Sequence, residues 1–168
     1  SSDLTDFIYP KSHQGMLRNY VYVLKDSTWK FEGEKSMPGH TLGVINSYSY
    51  GPVIDAFVEA KKPFMKIVSG NNALNSLMDL TESKRIDGFV EDESVMLTTL
   101  GKTKRPVGVF KSVSAMINDD PHLFVTFGPT NKNAAVLTQV VDRGMDAIKK
   151  NGKFSQLCKK YGVSEWTW

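Results

Sequence analysis

The sequence has one cysteine, Cys158, in 168 residues. No intramolecular disulfide can form, and no cysteine-based zinc site can be assembled. Histidine is nearly as scarce. His13, His40 and His122 lie far apart and none sits in an HExxH or similar spacing, so no metal site is expected. Long apolar runs are missing too: HTLGVI and LFVTFG fall far short of the ~20 residues a membrane-spanning helix needs. Neither sign of charge dominates. The 21 Lys and Arg against 18 Asp and Glu leave a net charge of +3, spread along the chain. A dedicated nucleic-acid binder clusters its positive charge, so no nucleic-acid partner is expected. Catalytic signatures are also lacking, with no GxSxG, GxGxxG, Walker A or Cys–His context. Cys158 falls in a helical pattern beside Leu157 and Tyr161 and reads as a packed thiol. No catalytic residue and no cofactor is expected, and no signal peptide is visible at the opening SSDLTDF.

What is present is a globular balance of 40% apolar, 23% charged and 11% aromatic residues. Strand and helix patterns alternate. Strands are expected over 19–25, 40–45, 63–70, 85–91, 106–111 and 123–128, from apolar, β-branched and aromatic runs bounded by turn residues. Helices are expected over 52–62, 71–84, 92–102, 131–152 and 153–162, from apolar side chains at helical spacing. Pro52 suits a first helical turn, Asp92 suits an N-cap, and Gly101 and Gly152 suit helix ends. The repeated strand–helix unit implies an α/β fold, with a mostly parallel sheet flanked by helices.

In such a sheet, ligands collect outside the carboxyl ends of the strands. The turn Asn-Ser-Tyr-Ser-Tyr at 46–50 stands there, between a buried strand and a helix start. Free N–H groups at a helix start suit a carboxylate or phosphate. Ser47 and Ser49 add hydroxyls, and Tyr48 and Tyr50 add aromatic surface. The competing role for these residues is capping and loop packing. Asp92, with Glu91 beside it, ends the 85–91 strand on the same edge. An acid there can hold an ammonium, or it can simply cap its helix. Asp119-Asp120 before Pro121 reads as a turn, and Trp166 and Trp168 as packing of the chain terminus rather than a sugar platform.

PGHTLGVINSYS resembles the "GKxVGVxxGTT" stretch of the family 3 extracellular solute-binding proteins, the periplasmic receptors of amino-acid-type ABC transporters. RIDGFVED is similar to that family's "RxDAVVxD". TDFIYP with YVYVLKD resembles the stretch leading out of the first lobe. LFVTFGPTN through VVDRGMDAIKKNGKFSQLCKKYGVSEW resembles the closing strand and helices. The likeness covers almost the whole chain.

The resemblance implies a type II periplasmic-binding-protein fold. Residues 1–14 would end the first lobe and enter the hinge, 15–119 would form the second lobe, and 120–168 would cross back to the first. It implies capture of a small polar ligand, an amino acid or related carboxylate, between two lobes. Delivery would be to an ABC transporter permease, in a periplasmic or extracellular location with any export signal removed. Ser47, Tyr48 and Ser49 would receive the ligand carboxylate and Asp92 its ammonium. Two departures stand out. The family carries roughly another third of a chain ahead of this sequence, with a carboxylate-binding arginine. A partner chain, a swapped dimer or an upstream segment is therefore expected over the apolar surface from Leu123 to Met145. Ser47 and Tyr48 also replace Gly and Thr, which points to a less usual or ring-bearing ligand. A ligand-sensing input domain is the alternative on this fold. A dehydratase-type enzyme, with Glu91 as its acid or base, is the third.

Overall fold

The alternation of apolar strands and amphipathic helices is realised in a computed structural model that describes residues 6–103, 105–106, 108–118 and 120–167. Asp119 and Trp168, singled out above, lie outside the described residues. The elements run β1 (Gly15–Met16), β2 (Asn19–Leu24), β3 (Leu42–Ile45), α1 (Pro52–Glu59), β4 (Met65–Val68), α2 (Ala73–Glu82), β5 (Gly88–Asp92), α3 (Glu93–Lys102), β6 (Phe110–Ser112), β7 (His122–Leu123), α4 (Ala134–Lys150) and α5 (Lys153–Tyr161). The chain divides into two units, one over Arg18–Asp120 and one built from the segments before and after it.

The Arg18–Asp120 unit is a five-stranded sheet in the order β4-β3-β5-β2-β6. β3 runs parallel to both β4 and β5, whereas β2 runs antiparallel to both β5 and β6. The sheet is therefore mixed, not mostly parallel as the strand–helix alternation suggested. The reason lies in where β2 begins. Asn19 pairs with Asp92, at the carboxyl end of β5, so a strand starting there must run the other way. β6 is shorter than expected. Pro106 has no N–H to give a ladder and Gly108 turns the chain with φ +77°.

Both faces of the sheet are covered. Val21, Val23, Leu42, Val44 and Val90 pack with Ile54 and Phe57 of α1. Tyr22 and Phe89 pack with Leu77 and Met78 of α2 and Met96 of α3 on the other face. Buried side chains of this size stabilise by roughly 1.5–3 kcal/mol each. α3 continues one residue past Gly101, to Lys102.

In the other unit, β1 and β7 form a two-residue antiparallel pair, and Ile8 bridges Phe127. The expected strand over 123–128 is broken because residues 9–14 face only 124–126, which no continuous register can pair. α4 buries Ala134 and Thr138, and α5 buries Phe154 and Cys158. Trp166 packs edge-on against Phe154 with ring centroids 4.7 Å apart. Asp142 of α4 accepts hydrogen bonds from the backbone N–H of Ser12 at 2.8 Å and of Lys11 at 3.2 Å. No helix among the described residues is long and apolar enough to cross a membrane.

Candidate functional site

Because β3, β4 and β5 are parallel, their carboxyl ends reach one edge of the sheet. The connections after β3 and β4, and the start of α3, gather there. A cleft of about 380 Å³ opens among them, lined by Ile45, Asn46, Tyr48, Ser69, Gly70, Asn71, Ala73, Leu74, Glu91 and Val95. Ile45, Ala73 and Leu74 make part of the lining apolar, and Asn46, Ser69 and Asn71 make part of it polar. The start of α2 has no side-chain cap, although the Ala73 N–H donates to the Gly70 carbonyl at 3.2 Å, and the partial positive end of its dipole lies at this edge.

The turn over 46–50 is arranged differently from the sequence reading. Ser47, Tyr48 and Ser49 are exposed, Tyr48 by 58%. Tyr50 is only 1% exposed and belongs to the core, where its hydroxyl accepts from the Ile45 N–H at 2.8 Å. Burial pushes the Tyr50 hydroxyl well above its ordinary range. It therefore packs beneath the turn and offers no aromatic surface to a solute. The anion held by this turn is the chain's own Asp55. Its carboxylate accepts from the Tyr50 N–H at 2.9 Å and from the Ser49 hydroxyl at 2.6 Å. Of the turn residues, Asn46 and Tyr48 line the cleft. Ser47 sits in the left-handed region at φ 63°.

Asp92 and Glu91 are both buried, at 6% and 2% exposure, yet they face different surroundings. Alternation along β5 sends successive side chains to opposite faces. Asp92 Oδ1 accepts from the N–H groups of Ser94 and Val95, at 2.9 and 3.1 Å, and so caps α3. Asp92 Oδ2 accepts from the Arg18 N–H at 2.8 Å. The residue expected to meet a ligand ammonium thus has its carboxylate engaged by three backbone donors. Glu91 lies on the Phe89 face and lines the cleft. Its Oε1 accepts from the Asp92 N–H at 2.9 Å, while its buried Oε2 has no hydrogen-bond partner among the described residues. Burial pushes the Glu91 carboxyl up to about 7, and the neighbouring Asp92 charge adds to this against the pull of its one N–H donor.

Asp55, Ser69, Gly70 and Asn71 escaped the sequence reading. Asp55 was read only as part of a helix. Ser69, Gly70 and Asn71 were divided between a strand and a helix, although Ser-Gly-Asn-Asn is a cluster of turn formers and Gly70 has φ +103°. Among the described residues, no group of three or more His, Cys, Asp or Glu is placed to hold a metal ion.

No protein-family model matches the sequence, and no curated protein matches it significantly. Solved structures do. ArgBP from T. maritima (a mutant form) matches with a TM-score of 0.64 at 15% identity, over 96% of this chain and 64% of that one. A probable amino-acid ABC transporter extracellular-binding protein from Bacillus subtilis matches with a TM-score of 0.68 at 15% identity, over 92% of this chain and 63% of that one. A structure from a study of glutathione import through GshT and the cystine ABC importer of Streptococcus mutans matches with a TM-score of 0.69 at 18% identity, over 96% and 65%. The chain thus spans a little under two-thirds of the length of these proteins. It has the type II periplasmic-binding-protein fold that these structures share.

Proposed function

We propose that this protein is a non-catalytic solute-binding protein that captures a small polar solute, an amino acid or a related carboxylate, outside the cytoplasm for an ABC-type importer. The observation that carries the reading is the cleft of about 380 Å³ at the carboxyl edge of the sheet. Ligands of open α/β sheets collect at that edge. The size suits a molecule of amino-acid dimensions, and the lining mixes apolar and hydrogen-bonding residues. The fold likeness to binding proteins of amino-acid importers supports the same reading. Leu123, Val125, Val136 and Val140 are 48–59% exposed. We read them as surface that a further stretch of polypeptide or a partner chain covers.

A thermal-shift screen against amino acids, small carboxylates, polyamines and sugars tests the proposal. A ligand present at 100 times its Kd stabilises by about 2.7 kcal/mol, a rise of roughly 5–10 °C for a chain of this length. A hit abolished by Leu74→Trp, which fills the cleft, locates the site. Silence across the panel from a folded protein overturns the reading, and turnover of a bound carboxylate replaces it with an enzyme.

A further inference from the structure

We propose that this protein carries a second binding site, at the edge of the Arg18–Asp120 sheet opposite the cleft, and that this site takes a small carboxylate with an apolar body, received by Lys25 and Lys84. The inference concerns another cavity and does not rest on the solute-binding reading above.

A cavity of about 580 Å³ opens at this edge, larger than the cleft. Three stretches wall it: the turn after β2, the end of α2 with the entry to β5, and the entry to β6. Ile86 and Asp87 precede β5 and Leu24 ends the antiparallel β2, so the cavity lies where β5 begins, not where it ends. The walls are tied to one another. The Lys25 N–H donates to the Val109 carbonyl at 2.9 Å. Arg105, just before the third stretch, donates to Glu82 at 2.8 Å and to Asn75 at 3.0 Å and pairs with Asp79, all on α2. The end of α2 is closed as well, with the Lys84 N–H on the Thr81 carbonyl at 3.0 Å and the Arg85 N–H on the Leu80 carbonyl at 2.8 Å. The cavity is therefore preformed, as ligand sites usually are.

Its lining has two characters. Leu24, Ile86 and Val109 belong to the apolar cluster on the α2 face of the sheet and supply apolar surface. Lys25 and Lys84 supply ammonium groups, and among the described residues neither is in an ion pair. Of the two acids at the cavity, Asp87 is committed. One of its oxygens accepts from the Thr41 N–H at 2.7 Å, and the other faces His40 Nδ1 at 3.4 Å. Asp26 is then the one acid left against two cations, and the lining keeps a positive charge. Ser27 Oγ accepts from the Trp29 N–H at 3.2 Å, which leaves its O–H to donate. Lys84 adds an independent sign. It stands just past α2 at φ 56°, a left-handed position that glycine adopts more readily. Glycine would end the helix equally well but would bring no charge to the cavity. A carboxylate has two acceptor oxygens and can take a charge-assisted hydrogen bond from each ammonium, with its apolar body on the wall below.

Heteronuclear NMR of the full chain, titrated with hexanoate, tests this. Backbone amide shifts are expected around Lys25, Lys84 and Gly108. Hexanamide, which has no charge, and butyrate, two methylenes shorter, should each bind about tenfold more weakly. Lys25→Gln combined with Lys84→Gln should weaken hexanoate by about tenfold or more, the scale of a lost charge-assisted hydrogen bond. Lys84→Gly separates binding from folding. It relieves the left-handed backbone, so Tm should rise while hexanoate affinity falls by about threefold or more. Shifts confined to Asn46, Ser69 and Asn71 would place the carboxylate in the cleft and overturn the inference. Hexanamide binding as tightly as hexanoate, or unchanged affinity in Lys84→Gly, would overturn it too. So would the absence of any shift at millimolar hexanoate, in protein whose own spectrum shows it folded.

Discussion

The backbone N–H of Tyr50 donates to Asp55 at 2.9 Å, closing the turn between β3 and α1 on a carboxylate from the helix that follows. The Ser49 hydroxyl donates to the other oxygen at 2.6 Å. An internal anion therefore occupies the turn that otherwise suits an external one. Asp55→Ala removes both bonds. A loss of about 2 kcal/mol is expected, a fall in Tm of roughly 4–8 °C by scanning calorimetry. An unchanged Tm would mean that the turn is held by its backbone alone.

Asp92 holds two parts of the sheet edge at once, the first turn of α3 and the entry into β2. Asp92→Ala should cost about 2–3 kcal/mol, and Asp92→Asn less, because an amide oxygen still caps. Hydrogen exchange at Ser94, Val95 and Arg18 should accelerate together in the alanine variant. Acceleration at Ser94 and Val95 without Arg18 would show that the two roles are separable.

Glu91 gives stability a particular pH dependence. Its carboxyl is raised to about 7 in the folded chain from an ordinary 4.5, so between those values the folded state binds the extra proton. Stability on its account is full below the ordinary carboxyl range and is lost as pH rises through about 7, by ~3 kcal/mol. Glu91→Gln should flatten that part of the urea-denaturation profile between pH 5 and 8. It should also leave the ligand-free protein at least as stable as the wild type at pH 8.

Ser47 adopts φ 63°, a conformation that costs an L side chain about 1 kcal/mol. Ser47→Gly should raise stability by about 0.5–1 kcal/mol, net of glycine's greater freedom in the unfolded chain. The comparison is made in chemical denaturation at matched slope.

Gly88 lets β2 and β5 approach, since a Cβ there would lie 2.6 Å from the Tyr22 carbonyl oxygen. At Gly43 a Cβ would meet Leu77 Cδ2 at 2.5 Å and Ile86 Cδ1 at 2.7 Å, the movable ends of side chains. Gly43→Ala should cost about 1–3 kcal/mol, and Gly88→Ala more, because backbone cannot step aside. Equal Tm values for the two variants would contradict this ranking.

Much of the order of elements was determined by the sequence alone. Periodicity located α1 to α5, and the apolar runs located β2 to β5, because both depend on neighbours a few residues away. Pro52 at the start of α1 and Asp92 as the cap of α3 were legible for the same reason. What tertiary structure decided concerns direction and facing. β2 runs against β5 because Asn19 pairs with Asp92, a contact between distant segments that no local pattern encodes. Tyr50 turns inward because its hydroxyl meets the Ile45 N–H beneath a turn whose anion, Asp55, sits one helical turn away. Glu91 and Asp92 are adjacent acids in the sequence and equal candidates there. Pairing set the phase of β5, sending Asp92 to three backbone donors and Glu91 to the cleft, and in a strand of period two a single step exchanges those fates.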